Sequence, residues 1–347
     1  MSKEKAVIGV IGCGKKACSA HIPALEKLEN VNLRYLSDIN EERLRELKEK
    51  YPQCETFADY HALFSCGDLD GVVICTHTNL HCKIAKEFLL RGVDVFTEKP
   101  VAMNYDEAFE TAEIAREKGR VFDAGVCLRF ASSLEKVRNI IQSGEIGNVY
   151  HVSCRFRFSK SIPGAGSDYT KKSKSGGGVL IDLGVHNFDA IDYCLGGVNW
   201  KSASGKCISS PLMASGENSK AGYVMESEIK SDVEDYAFGT AQSENGITLS
   251  FEGAWAQNIG EEEKYIDFLG DKGAVRFNYY RGYTFWGKGG EKLKECENCY
   301  DGKMYENELR SFADDILKRR FESRNAVKNV LSSAKLIDMI YASSDDK

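Results

Sequence analysis

The sequence predicts an α/β protein in two parts: an N-terminal domain built on a parallel sheet, then an α+β domain with a large, mostly antiparallel sheet. Three observations predict it. The chain has 347 residues, more than one core usually organises, so two domains and a cleft between them are expected. Its first third alternates short apolar runs with helical patterns, as repeated strand–helix–strand units do. After Arg129 the pattern changes to longer period-2 runs joined by turn residues. The boundary is therefore placed there, with residues 1–128 as the first domain and 129–347, including the C-terminal helices, as the second.

In order, strands are expected at 6–11, 33–37, 71–75, 94–96 and 121–126. Helices are expected at 22–28, 41–50, 81–90 and 105–117, the last carrying Ala108, Ala112 and Ala115 on one face. A further helix places Leu134, Val137, Ile140 and Ile141 on one side and stops at Gly144, a good C-terminal cap. Tyr150, Val152, Cys154, Phe156 and Phe158 then alternate with polar residues, the mark of a half-buried strand. Strand-like runs at 236–242, 247–251 and 265–269 are flanked by Asn245-Gly246 and Asp271-Lys272-Gly273, which suit antiparallel turns. Two apolar stripes close the chain, one on Leu309, Phe312, Ala313, Ile316 and Leu317, the other on Val327, Val330, Leu331, Ala334, Ile337 and Tyr341.

Composition excludes several function classes. Hydrophobic residues make up 42% and charged residues 28%, and no apolar run approaches the ~18 residues that cross a bilayer, so no membrane role is expected. A net charge of -6 disfavours nucleic acid, whose backbone is bound by clustered cations. The first residues enter a strand directly, without a signal-peptide pattern, so a cytoplasmic location is expected. The twelve cysteines read as free thiols, and Cys296 and Cys299 as loop residues, since no second pair completes a zinc site. No metal is expected. A short basic run, Lys171-Lys172-Ser173-Lys174, reads as a solvated loop.

The first chemical signal is Gly12-Cys13-Gly14-Lys15-Lys16-Ala17, a G-x-G-x-x-A turn between the first strand and a helix. Glycines allow the tight turn and let a pyrophosphate reach the backbone. Asp38 closes the second strand, 26 residues beyond Gly12, where a carboxylate accepts bonds from ribose hydroxyls. It also repels a 2′-phosphate, so NAD is expected, with NADP less favoured.

Two further stretches carry proton-transfer chemistry. Gly92 to Pro100 ends a strand in Glu98-Lys99-Pro100, and Gly176-Gly177-Gly178 precedes Asp182 and His186, four apart on one helical face. Oxidising an alcohol requires a group that takes the hydroxyl proton as hydride leaves. Lys99 stands at the carboxyl edge of a parallel strand, where such sheets bind ligands, and an unperturbed histidine, the residue type of His186, has a pKa near neutrality.

Together with the glycine turn, these stretches resemble the Gfo/Idh/MocA family of glucose-fructose oxidoreductase and inositol dehydrogenase over essentially the whole chain. The resemblance extends to Glu234-Asp235 and to Ile337-Asp338-Met339-Ile340-Tyr341. It implies a Rossmann domain, an NAD(H)-dependent oxidoreductase, and a sugar, inositol or related polyol as substrate. It implies that Lys99, Asp182 and His186 line the substrate pocket, with lysine or histidine acting in proton transfer; of the two, His186 is read as the acid/base and Lys99 as a polarising partner that can exchange that role. Residues 12–16, Asp38, Thr76, His77, His81, Glu98 and Lys99 would face the cofactor; His77 stands where the family usually has proline. Arg129 matches a family Arg-Phe and reads as structural. The resemblance also implies a homodimer or homotetramer formed through the second sheet. Alternatives are a non-catalytic NAD-dependent regulator, an enzyme cycling a retained NAD, and a dehydrogenase of a non-sugar diol or tetrapyrrole.

Overall fold

The computed structural model describes residues 4–164, 167–210, 212, 231–279, 281–297 and 302–345. It divides into two compact units, Met1–Phe130 with Gly302–Asn329, and Ala131–Asp301 with Val330–Lys347.

The first unit holds six strands: β1 (Ala6–Ile11), β2 (Val31–Ser37), β3 (Glu55–Phe57), β4 (Gly71–Ile74), β5 (Asp94–Glu98) and β6 (Phe122–Gly125). All pair in parallel, in the order β3-β2-β1-β4-β5-β6. The order reverses between β1 and β4, which makes the carboxyl ends of those strands the natural ligand crevice. Every residue of β1, β4 and β5 is buried, because helices cover both faces of such a sheet. The connecting helices are α1 (Ile22–Lys27), α2 (Glu41–Lys50), α3 (Thr78–Leu90) and α4 (Tyr105–Lys118). Asn40 and Asn104 cap α2 and α4 by accepting from the N–H groups of Arg43 and Glu107. The sequence pattern missed β3, which is three residues long and too short for a period.

The sequence reading assigns the C-terminal helices to the second domain; the structure corrects this for the first of them. Helix α8 (Met304–Lys318) returns to the first unit, where Leu309, Phe312, Ala313 and Ile316 share one core with Ile8, Val10 and Phe96. Gly71 leaves room for it, since a Cβ there would lie 2.7 Å from Ile316 Cδ1. The segment after α8 is strapped down by Arg129, whose guanidinium donates to the carbonyls of Arg324 (2.7 Å) and Asn329 (2.9 Å). Asn325 adds a bond to the Ala124 carbonyl. An apolar stripe says that a helix is buried; it does not say against which sheet.

The second unit contains α5 (Ser132–Gln142), β7 (Val149–Arg157), α6 (Lys172–Ser175), α7 (Val185–Leu195), β8 (Trp200–Ile208), β9 (Tyr236–Ser243), β10 (Thr248–Ala254), β11 (Glu263–Gly270), β12 (Ala274–Asn278), β13 (Gly282–Trp286), β14 (Lys292–Glu297) and α9 (Leu331–Asp345). Its eight strands run β14-β13-β12-β11-β7-β10-β9-β8, antiparallel except for the β7–β10 pair. Helices α5, α7 and α9 pack on the sheet, over Val152, Cys154, Phe156, Leu249, Phe251, Ile266 and Phe268, all buried. Tyr150 continues the alternation of β7 yet is exposed, because it lies at the sheet's end. On the other face Arg157 pairs with Glu252 and Glu263, and Arg276 with Asp267.

Ten described cysteines are free thiols, but Cys296 at the end of β14 is disulfide-bonded, which corrects the expectation of thiols throughout. Among the described residues no helix is long and apolar enough to cross a membrane, and no group of three or more His, Cys, Asp or Glu is placed to hold a metal ion.

Candidate active site

The glycine turn leaves β1 at the switch point. Gly12 has φ +83°, and a Cβ there would lie 2.8 Å from both Cys75 C and Thr76 N; no other residue lets β1 pass this close to the loop after β4. Gly14 has nothing within 4 Å of its Cβ position, so open space lies over the start of the helix that follows. That helix contains a π turn, Ala17–His21, before α1. Its first N–H groups form the kind of terminus that cradles a phosphate.

Asp38 stands beside this turn. One carboxylate oxygen accepts from Cys13 N (2.7 Å) and from Arg43 Nη1 (2.9 Å), the other from Asn40 N (2.8 Å). The acid that would read a ribose is thus fixed in place, and Arg43, which the sequence reading did not single out, offsets its charge. The next residue, Ile39, is 93% exposed, an apolar face beside the carboxylate where a flat base can lie. A glycine turn open above a helix start, an anchored carboxylate and an exposed aliphatic side chain fit a dinucleotide. The Cys13 side chain is itself buried and bonds the Ser37 carbonyl, so Cys13 offers only its backbone.

The loop after β4 places Thr76 half-buried and His77 exposed at the N-cap of α3. His81 turns inward instead. Its ring nitrogens lie 2.7 Å from the Pro100 carbonyl and 3.0 Å from that of Thr76. Burial pushes its pKa below the ordinary value despite both carbonyls. His81 therefore ties the Thr76 loop to the end of β5.

At that end, Glu98 is buried and accepts from the N–H of Lys99 (2.9 Å) through Oε2, while Oε1 lies 2.6 Å from His21 Nε2. Gly125 abuts it, with a Cβ position 3.2 Å from Glu98 Cα. Burial alone would raise the Glu98 carboxyl; the hydrogen bond and charge of His21, with Lys16 and Lys99, outweigh burial and hold it well below the usual range. The Lys99-Pro100 peptide is cis. Lys15 is exposed, and Lys16 Nζ lies 3.7 Å from the ring centre of Tyr305 in the first turn of α8. Glu308, one turn further along, is fully buried with no partner for either carboxyl oxygen. Burial and the Glu98 charge push its pKa well up, which favours the protonated form.

In the second unit the glycines before Asp182 serve close packing. Cβ positions on Gly177 and Gly178 would fall 2.1 Å from Tyr341 Oη and 1.7 Å from the Glu234 carbonyl. The Glu234 carboxylate accepts from the N–H groups of Gly178 (2.9 Å) and Leu180 (3.0 Å) and from the Tyr341 hydroxyl (2.8 Å). It caps the helix that carries Asp182 and His186. That helix opens with a π turn, Leu180–Gly184, and becomes α-helical only from Val185. Such turns recur at functional sites. Asp182 accepts the indole N–H of Trp255 at 3.0 Å, a partner that sequence spacing does not reveal. In the basic run, Lys171 pairs with Asp168. Lys99 belongs to the first unit, Asp182 and His186 to the second.

Residues 7–126 match the oxidoreductase family with an NAD-binding Rossmann fold, and residues 134–276 the GFO/IDH/MocA C-terminal domain. The D-glucoside 3-dehydrogenase of Escherichia coli is 30% identical over 273 residues, 78% of this chain and 76% of that protein. The chain belongs to the GFO/IDH/MocA oxidoreductases. Among solved structures of similar fold, the 3-ketoreductase KijD10 from Actinomadura kijaniata, in complex with NADP and TDP-benzene, has a TM-score of 0.79 at 19% identity, with 97% of each chain covered. An Agrobacterium radiobacter oxidoreductase in complex with NAD+, L-tartaric acid and magnesium has 0.78 at 20%, covering 99% of this chain and 97% of that one. The GFO/IDH/MocA chain described here is thus an oxidoreductase with an NAD(P)-binding Rossmann unit.

Proposed function

We propose that this oxidoreductase exchanges hydride between NAD and a secondary alcohol or ketone of a sugar, inositol or sugar derivative. The observation that carries the reading is the placement of Lys99 at the carboxyl edge of the sheet that bears the glycine turn. With the order β1-β4-β5, the two lie two strand spacings apart, about 10 Å. A bound nicotinamide supplies the hydride acceptor or donor. The remaining chemistry falls to the chain. Lys99 donates to the substrate oxygen and stabilises charge on it. His186 exchanges the hydroxyl proton, a role open to an imidazole side chain. Asp182, anchored by Trp255, orients the substrate hydroxyl or the imidazole. Gly12 to Lys16, Asp38 and Ile39 hold the dinucleotide, and Thr76, His77, Glu98 and Lys99 shape its nicotinamide end. We favour NAD because the Asp38 carboxylate would accept from the ribose hydroxyls and repel a 2′-phosphate. The kinship to a glucoside dehydrogenase supports a sugar.

The test follows absorbance at 340 nm with NAD or NADP and a panel of polyols, aldoses, inositols, glucosides and nucleotide sugars. Reduction of NAD by one substrate class, lost in Lys99→Ala and His186→Ala, is the expected outcome. Full turnover in both variants would remove these residues from the reaction.

A further inference from the structure

We propose that His21 is a positioning residue for Lys99, acting through Glu98. The inference rests on the reading of Lys99 as the group that polarises the substrate oxygen, and it begins from a buried histidine on the helix that follows the glycine turn. His21 is fully buried, and its Nδ1 has no hydrogen-bond partner. The ring is held by one polar contact, Nε2 to Glu98 Oε1 at 2.6 Å. Phe96 and Tyr305 flank it edge-on, with ring centres 5.8 Å and 6.0 Å away.

The second oxygen of Glu98 accepts the Lys99 backbone N–H at 2.9 Å, and Gly125 closes off the space beside its carboxylate. A carboxylate spent at both oxygens and packed against backbone cannot swing. The N–H it holds is that of the proposed polarising residue. The link therefore runs from the π turn Ala17–His21, through His21 and Glu98, to Lys99. It ties the lysine to the same element that ends the glycine turn. Burial pushes the Glu308 carboxyl up, whereas His21, Lys16 and Lys99 hold the Glu98 carboxyl down, so the negative charge here is favoured on Glu98. A core histidine needed for packing alone would not require a carboxylate that also bonds the next residue's backbone.

The experiment compares wild type, His21→Leu, His21→Gln and Glu98→Gln, without added cofactor for the first readout. Acetic anhydride labelling of Lys99 is measured by peptide mass spectrometry as a ratio to Lys118, an exposed lysine of the same unit. His21→Leu should change that ratio at least about threefold, and His21→Gln should restore it, since a glutamine amide can still donate to Glu98. Glu98→Gln should also change the ratio, because a neutral amide removes the negative charge that acts on Lys16 and Lys99. In turnover, His21→Leu should lower kcat about 10- to 100-fold, as misplacement of a reacting group does. An unchanged labelling ratio in folded His21→Leu overturns the proposal. If His21→Leu does not fold, an unchanged ratio in Glu98→Gln does so. Full activity of Lys99→Ala would instead sink the functional reading and leave the labelling result standing.

Discussion

Replacing Asp123 by asparagine should flatten the pH dependence of folding stability across neutrality. Asp123 lies in β6, fully buried, with Oδ1 bonded to the Ser323 hydroxyl and Oδ2 without a partner. Burial, reinforced by Asp315 and Asp94 and only partly offset by Ser323, pushes its pKa from 3.8 up to about 8. In the unfolded chain the group ionises near 3.8, so between that value and 8 the native state holds a proton that the unfolded state has lost. Its contribution is complete at acid pH and is lost as pH rises through the folded value. The slope is about 1.4 kcal/mol per pH unit, accumulating to several kcal/mol. Asparagine cannot ionise, keeps an acceptor for Ser323, and has nearly the same shape. Any cost of its buried amide, about 1–3 kcal/mol, does not vary with pH. Urea unfolding of both proteins, followed by circular dichroism at about pH 5, 6, 7 and 8, gives the difference, in which groups that do not interact with Asp123 cancel. The variant should gain on wild type with each step. Parallel curves would refute a neutral Asp123.

Three further outcomes are expected. Gly12→Ala places a side chain at φ +83° and 2.8 Å from the Cys75 backbone, costing of order 1–3 kcal/mol in strain alone; NADH fluorescence should show binding lost, and wild-type affinity would contradict the role given to this turn. Arg43→Met removes the cation that bonds Asp38, and isothermal titration should show NADP weakened about tenfold more than NAD, the scale of one charge-assisted bond. Equal losses would separate Arg43 from cofactor choice. Gly178→Ala sets a Cβ 1.7 Å from the Glu234 carbonyl, a clash worth about 1–3 kcal/mol; a lower melting temperature with reduced kcat should follow, and an unaltered melt would mean that the loop yields.

Much of this protein was legible in its sequence, for physical reasons that differ by element. Strand β1, helix α2 and the start of α4 were read at their observed positions, since buried parallel strands are unbroken apolar runs and capped helices carry Asn before acidic first turns. The glycine turn, Asp38, Glu98-Lys99-Pro100 and Asp182 with His186 could be picked out because each stands at a recognisable place in the strand–helix pattern. Glu234 and Tyr341 stood out as family-like stretches without a task.

Tertiary structure alone decided which of these residues touch. Tyr341 meets Glu234 across 107 positions to cap the Asp182 helix, and Trp255 reaches Asp182 across 73. His21 meets Glu98 across 77. None of these separations is a period of any helix or strand, so no window on the sequence contains them. For the same reason the stripe on α8 announced a buried helix but not its return to the first unit. Local periodicity specifies what each element is; the partner of each buried polar group is fixed only when the chain closes.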